Sequence, residues 1–137
     1  MYLLGAASRP GKQFWNFPGE AKLPGYSRVV SSPPGRTIYL SGTGGNGADG
    51  KMPEDFASQA KNTFDNMARG LKLAGASFKD VVKINYFVTD MSHTAELRQI
   101  RAGYLNMDSP PAATLVQAGL GKGLLLEVEA IAIVPEK

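Results

Sequence analysis

The chain contains no cysteine and a single histidine, His93. Without cysteine there is no disulfide framework and no thiolate nucleophile or ligand. One histidine excludes zinc sites of the Cys/His kind and any triad that needs a second imidazole. No run approaches the roughly eighteen apolar residues of a membrane span, so no membrane partner is expected. The start, Met1-Tyr2-Leu3-Leu4-Gly5-Ala6-Ala7, lacks a basic region, and its apolar stretch is too short for a secretory signal. The expected location is therefore the cytoplasm. The 15 Lys and Arg residues are scattered rather than clustered. A net charge of +3 favours anionic ligands without marking a nucleic-acid surface, so nucleic acid is not the expected partner.

What is present fits a single domain of 137 residues, 43% hydrophobic and 20% charged. Residues 1–24 are rich in Gly, Pro and aromatic rings, among them Phe14, Trp15 and Phe17, and read as an irregular arm packed on the body, 25–137. Two strand-like runs, 27–31 and 37–41, flank Pro33-Pro34-Gly35 and predict a hairpin. The spacing of Phe56, Ala60, Phe64, Met67 and Leu71 predicts a helix over 54–74, stopped at Gly75. A strand follows over 80–89, with Val82, Ile84, Tyr86 and Val88 on one face and Lys83, Asn85 and Phe87 on the other. Ser92 is placed to cap a second helix whose inner side carries Leu97, Ile100 and Tyr104. Two more strands, 113–118 and 124–134, are joined by a turn containing Gly119, Gly121 and Gly123. The order β-β-α-β-α-β-β predicts an α+β fold with two helices on one face of a mixed sheet.

Within the last strand Glu127 and Glu129 stand two residues apart in an apolar run, so both point to one face. Desolvating an unpaired carboxylate is costly, which makes this strand a candidate for chemistry, although an edge strand with both acids solvated or ion-paired is the plain alternative. Gly42 to Gly47 fits G-x-G-x-x-G, but no acidic residue follows on a second strand as a dinucleotide site requires. Gly45 to Lys51 fits G-x-x-x-x-G-K, but Met52 occupies the magnesium-binding Ser/Thr position. Both read as loop glycines able to shape a pocket mouth. His93 reads as a surface or capping residue. Arg98 and Arg101 lie three apart on a helix and form either a solvated basic face or a carboxylate clamp. Nothing calls for a metal or an organic cofactor.

Taken together, several segments resemble one family. Gly25-Tyr26-Ser27-Arg28 and Tyr39-Leu40-Ser41-Gly42 are similar to its first hairpin. Gln59, Ala74-Gly75-Ala76-Ser77 and Asp80-Val81-Val82-Lys83 are similar to its first helix and the strand after it. Phe87 to Met91 and the closing Glu127-Val128-Glu129-Ala130-Ile131-Ala132 continue the match over 25–134. This is the RidA/YjgF family of reactive enamine/imine deaminases, also labelled L-PSP endoribonucleases. The resemblance implies a chorismate-mutase-like fold and a homotrimer with a small-molecule cleft between adjacent subunits. It also implies an arginine in a P-A-R-[ST] motif that grips a carboxylate, and a glutamate that activates water. By position that glutamate is Glu127. Tyr26, Ser41 and Gly42 fall at binding positions, and backbone groups near Thr114 and Leu115 would position the water.

The chain departs from the pattern at Pro111-Ala112-Ala113-Thr114, where Ala113 replaces the arginine. A family asparagine falls at Arg98, and the family's Leu-Pro falls at Leu120-Gly121. The resemblance then implies a hydrolase for an imine or enamine other than the small 2-imino acids. Either Arg28, Arg98 or Arg101 supplies the cation, or the arm's rings close over a larger and less acidic ligand. A trimeric binding protein without hydrolysis, and RNA binding or cleavage, are the alternatives.

Overall fold

The computed structural model describes residues 11–137. A four-stranded sheet forms from β3 (Gly35–Thr43), β4 (Val81–Val88), β5 (Ala112–Gln117) and β6 (Leu126–Pro135), in the order β3-β6-β4-β5. β4 runs parallel to β5 and antiparallel to β6, and β3 is antiparallel to β6, so the sheet is mixed. Two helices, α1 (Phe56–Leu73) and α2 (Thr94–Arg101), pack on one face of it.

Helix α1 begins where the Asp55 carboxylate accepts the Ser58 N–H at 2.8 Å. It ends in a Schellman turn: Gly75, at φ 73°, donates to Lys72 O, and Ala76 donates to Leu71 O. Its buried stripe contains the five expected apolar residues plus Gln59 and Thr63. These lie on Ile84, Tyr86 and Val88 of β4 and on Leu126, Val128, Ala130 and Ala132 of β6. Burial alternates strictly from Leu126 to Ile133 of β6, so Glu127, Glu129, Ile131 and Ile133 point to the opposite, helix-free face.

Three expectations need correction. Segments 27–31 and 37–41 do not pair as a hairpin. β2 (Val29–Ser31) pairs with β1 (Gln13–Trp15), a short strand inside the arm expected to be irregular. Ser27 bridges to Ala112 on the β5 edge, donating its N–H to Pro111 O and its hydroxyl to Pro110 O. The chain then crosses to the far edge, because the Ile38/Leu40 alternation finds its longer partner in β6. On β4, Val81 rather than Val82 enters the core, because the ladder to β6 slips between Val81 and Lys83. Finally, Ser92 caps nothing: Asp90 accepts the Ser92 N–H at 2.8 Å and starts a 3-10 turn, 91–93, that leads into α2. Of the arm's rings, Phe14 is half-buried while Trp15 and Phe17 are exposed.

Candidate functional site

The candidate residues form two groups on opposite faces of the sheet. The first surrounds Glu127 on the helix-free face. In β3, Ser41 and Gly42 together oppose the single residue Glu129, because Leu40 pairs with Ala130 and Thr43 with Val128. This is a β-bulge, a device that re-aims the bulged strand. It sets Gly42 against Glu127 so closely that a Cβ there would overlap Glu127 Oε1. Next along the face, Asn85 Nδ2 donates to Glu129 Oε1 at 3.0 Å, while Asn85 Oδ1 is enclosed without a partner. Among the described residues neither glutamate forms an ion pair. Tyr39, Ser41, Lys83, Asn85, Glu129 and Ile131 border a depression of about 270 Å³.

The second group lies at the far edge, between the sheet and α2. Tyr26, Arg28, Arg98, Arg101, Ala113, Thr114 and Leu115 line one cavity of about 310 Å³, together with Pro24 and Tyr86. The three arginines differ in state. Arg28 is engaged: it pairs with Glu20 and lies 4.8 Å from the Phe17 ring centre and 5.9 Å from that of Tyr26. The Arg28 hydrogen bonds hold the Glu20 carboxyl below its usual range. Arg98 is exposed at the mouth. Arg101 is only 5% exposed, lies 5.3 Å from the Tyr86 ring centre, and donates from Nη2 to Pro24 O. The backbone at Gly25, with φ 82°, passes directly over this guanidinium, where a Cβ would collide with it. Burial pushes the Tyr86 phenol up to about 12, with the nearby Arg101 charge acting in the opposite direction.

Thr114 straddles the two environments, since its hydroxyl accepts from Lys83 Nζ at 3.0 Å on the helix-free face. Sequence reasoning missed Tyr86 as a cavity residue. Its signal was register: Tyr86 pairs with Leu115 and follows Ile84, the partner of Ala113, on the same face.

The glycine-rich segment is neither a phosphate loop nor a dinucleotide loop. Asn62 Nδ2 donates to Gly45 O, and Asn66 Nδ2 donates to Gly44 O and Asn46 O, so the loop is strapped to α1. A Cβ on Gly45 would strike the Gln59 backbone. His93 stacks on Phe56 at 4.2 Å and faces Glu96, away from both groups. Among the described residues no cluster of His, Asp and Glu is placed to hold a metal ion, and no helix is long and apolar enough to cross a membrane.

Comparison with known proteins agrees with this architecture. The family model described as Endoribonuclease L-PSP matches residues 20–134. The human 2-iminobutanoate/2-iminopropanoate deaminase is 35% identical over 119 residues, covering 82% of this chain and 85% of that protein. The crystal structure of RidA from the Antarctic bacterium Psychrobacter sp. PAMC 21119 superposes with a TM-score of 0.69 at 35% identity, over 80% of this chain and 88% of that one. The Rid-family protein YyfB of Yersinia pestis superposes with a TM-score of 0.76 at 28% identity, over 91% of this chain and all of that one.

Proposed function

The chain belongs to the Endoribonuclease L-PSP family, also called RidA/YjgF, and from that membership we propose that it is a deaminase-type hydrolase of an imine or enamine metabolite. Its substrate differs from the small 2-imino acids, because Ala113 cannot pair with their carboxylate. The observation that carries the reading is the Glu127 carboxylate, which has no cationic partner among the described residues and stands in space vacated by Gly42.

In this reading Glu127 takes a proton from water as its oxygen bonds to the imine carbon. The same carboxyl returns the proton to the nitrogen of the resulting carbinolamine. The C–N bond then breaks as the carbinolamine hydroxyl gives its proton, through the same carboxylate, to the leaving nitrogen, so that ammonia departs and a carbonyl product remains. Because Glu127 and the arginine-lined cavity face opposite ways in one chain, the site is proposed to form between copies of a homotrimer, with Glu127 of one copy meeting the cavity of the next. A cytoplasmic location is proposed with it. The absence of an arginine at position 113 favours one second reading, a trimeric metabolite-binding protein without hydrolysis.

The deciding experiment feeds the protein imines generated in situ from a panel of amino acids by an oxidase, with semicarbazide as competitor. Glu127→Gln is expected to lower turnover by roughly 10²–10⁴-fold, the usual worth of a general base, while assembly is retained. Glu129→Gln, whose amide oxygen still accepts from Asn85, is expected to do far less. Full activity in Glu127→Gln would sink the mechanism. No turnover of any imine would favour the binding protein.

A further inference from the structure

Lys12 turns its amine toward the body of the protein. Burial alternates along the arm: Lys12 and Phe14 are half-buried, while Gln13 and Trp15 are exposed. The pairing of β1 with β2 imposes that alternation, so the amine and the Phe14 ring share the inner face. A lysine ordinarily buries its stem and keeps its ammonium in water. Here Nζ donates to Lys79 O and lies 5.8 Å from the Phe14 ring centre. Among the described residues Lys12 forms no ion pair. The nearby Asp80 carboxylate accepts the Ser77 N–H at 2.9 Å. Burial holds the Lys12 amine below its ordinary pKa of 10.5, with the Asp80 charge acting in the opposite direction. The same amine borders a cavity of about 220 Å³ whose other walls include Phe14, Phe78, Val81, Leu105 and Pro111. A tether for the arm would need only the hydrogen bond to Lys79. The apolar cavity beside the amine is what a tether does not require.

We infer that this cavity is a carbonyl-binding site, in which Lys12 forms a reversible imine with a small apolar aldehyde whose ring or branched chain fills the pocket. A cavity of about 150 Å³ is enough to hold benzene, so a single ring fits the space. A lysine beside apolar walls is suited to this chemistry, because a desolvated amine gives up its proton more readily. The ammonium first releases one proton to solvent. The free pair on Nζ then bonds to the aldehyde carbon, and one N–H proton passes to the aldehyde oxygen. The C–O bond of that carbinolamine breaks as the released proton is taken back by the oxygen, so water leaves and a protonated imine remains. Its one N–H keeps Lys79 O as acceptor, and the Asp80 carboxylate offsets its charge. The inference is independent of the deaminase reading, since Lys12 borders neither the Glu127 depression nor the arginine-lined cavity.

The test incubates the full chain with benzaldehyde and cyanoborohydride, which reduces the imine to a stable secondary amine, and maps the modified lysines by peptide mass. At pH 7 an ordinary lysine is almost wholly protonated, so Lys12 is expected to be labelled at least about tenfold faster than the exposed Lys72. Benzyl alcohol, which has the same shape without the carbonyl, is expected to protect Lys12 and not Lys72. Glyceraldehyde, small but polar, is expected to show a much smaller preference for Lys12, because the apolar walls offer its hydroxyls no partners. Lys12→Arg keeps the charge without a nucleophilic amine and is expected to lose the fast label. Should that variant fail to fold, the wild-type comparisons still decide. Equal labelling of Lys12 and Lys72, or no protection by benzyl alcohol, would each overturn the inference. A preference for Lys12 as strong with glyceraldehyde as with benzaldehyde would also overturn it, by showing a reactive amine without a recognising pocket.

Discussion

The carboxylate of Glu127 occupies the space that a side chain at residue 42 would fill, because the Ser41–Gly42 bulge turns β3 toward β6 at that point. Gly42→Ala therefore forces the carboxylate aside. The atom displaced is the free end of a flexible side chain, so the cost to stability is expected to stay within about 1 kcal/mol, at the low end for added bulk. The effect on chemistry is expected to be larger, since a misplaced base loses its alignment with the water. Urea unfolding and imine turnover measured on the same preparation check this. Unchanged activity would show that Glu127 need not stand where it does.

The helices and the four long strands were legible because each carries a periodicity set by burial: 3.6 residues for α1, two for β4 and β6. The pairing of Val29–Ser31 was not legible. A three-residue strand has too little pattern to choose its partner, and the local turn chemistry at Pro33-Pro34-Gly35 pointed to the wrong one. Glu127, Gly42 and the arginines could be nominated from the sequence. Their division between two faces could not, because it depends on which side of the sheet the helices cover, and the strand order β3-β6-β4-β5, which sets β3 and β5 at opposite edges, was not predictable either. The contrast between a paired Arg28 and an unpaired Arg101 likewise depends on Glu20, which the arm brings back onto the body.

Gln59 is fully buried and holds three separate segments together. Its Nε2 donates to Pro53 O at 2.7 Å and to Gly123 O at 2.8 Å, and its Oε1 accepts the Leu125 N–H at 2.9 Å. Gln59→Leu keeps the volume and strands three backbone groups. A loss of about 2–4 kcal/mol is expected, since each buried group left unsatisfied costs about 1–3 kcal/mol and some will find water. Denaturant unfolding measures it. A loss below about 1 kcal/mol would mean that the glycine-rich turn at 119–123 hydrates freely.

The helix-free face of the sheet carries Tyr39, 78% exposed, with Val116 also exposed and Phe87, Ile131 and Ile133 half-buried beside it. These apolar side chains, on a sheet face that no helix covers, mark a contact surface even with Glu127, Glu129 and Asn85 among them. Light scattering is expected to give about three times the chain mass of 14.6 kDa, and Tyr39→Glu combined with Ile131→Glu is expected to return it toward one chain. A wild-type protein that stays monomeric at high concentration would remove the shared cleft from the proposed mechanism.

The last prediction concerns alkaline pH. Burial raises the Tyr86 phenol from its ordinary value of 10.0 to about 12, against the opposing pull of Arg101. Below pH 10 the phenol keeps its proton in both folded and unfolded chains, and this group adds no pH dependence. Between pH 10 and 12 the unfolded chain loses the proton first, so unfolding is favoured and stability falls as pH rises. A shift of this size corresponds to about 2–3 kcal/mol lost across that interval. Tyr86→Phe is expected to remove this part of the slope. At pH 7 it should cost about 1 kcal/mol, the net worth of one hydrogen bond, because the Arg101 guanidinium lies beside the hydroxyl it deletes. Urea midpoints for the two proteins, followed from pH 8 to pH 12, are expected to diverge above pH 10, with the wild type falling faster. Parallel curves would mean that the phenol reaches solvent when it ionises, and that the site beneath Arg101 is more open than its burial indicates.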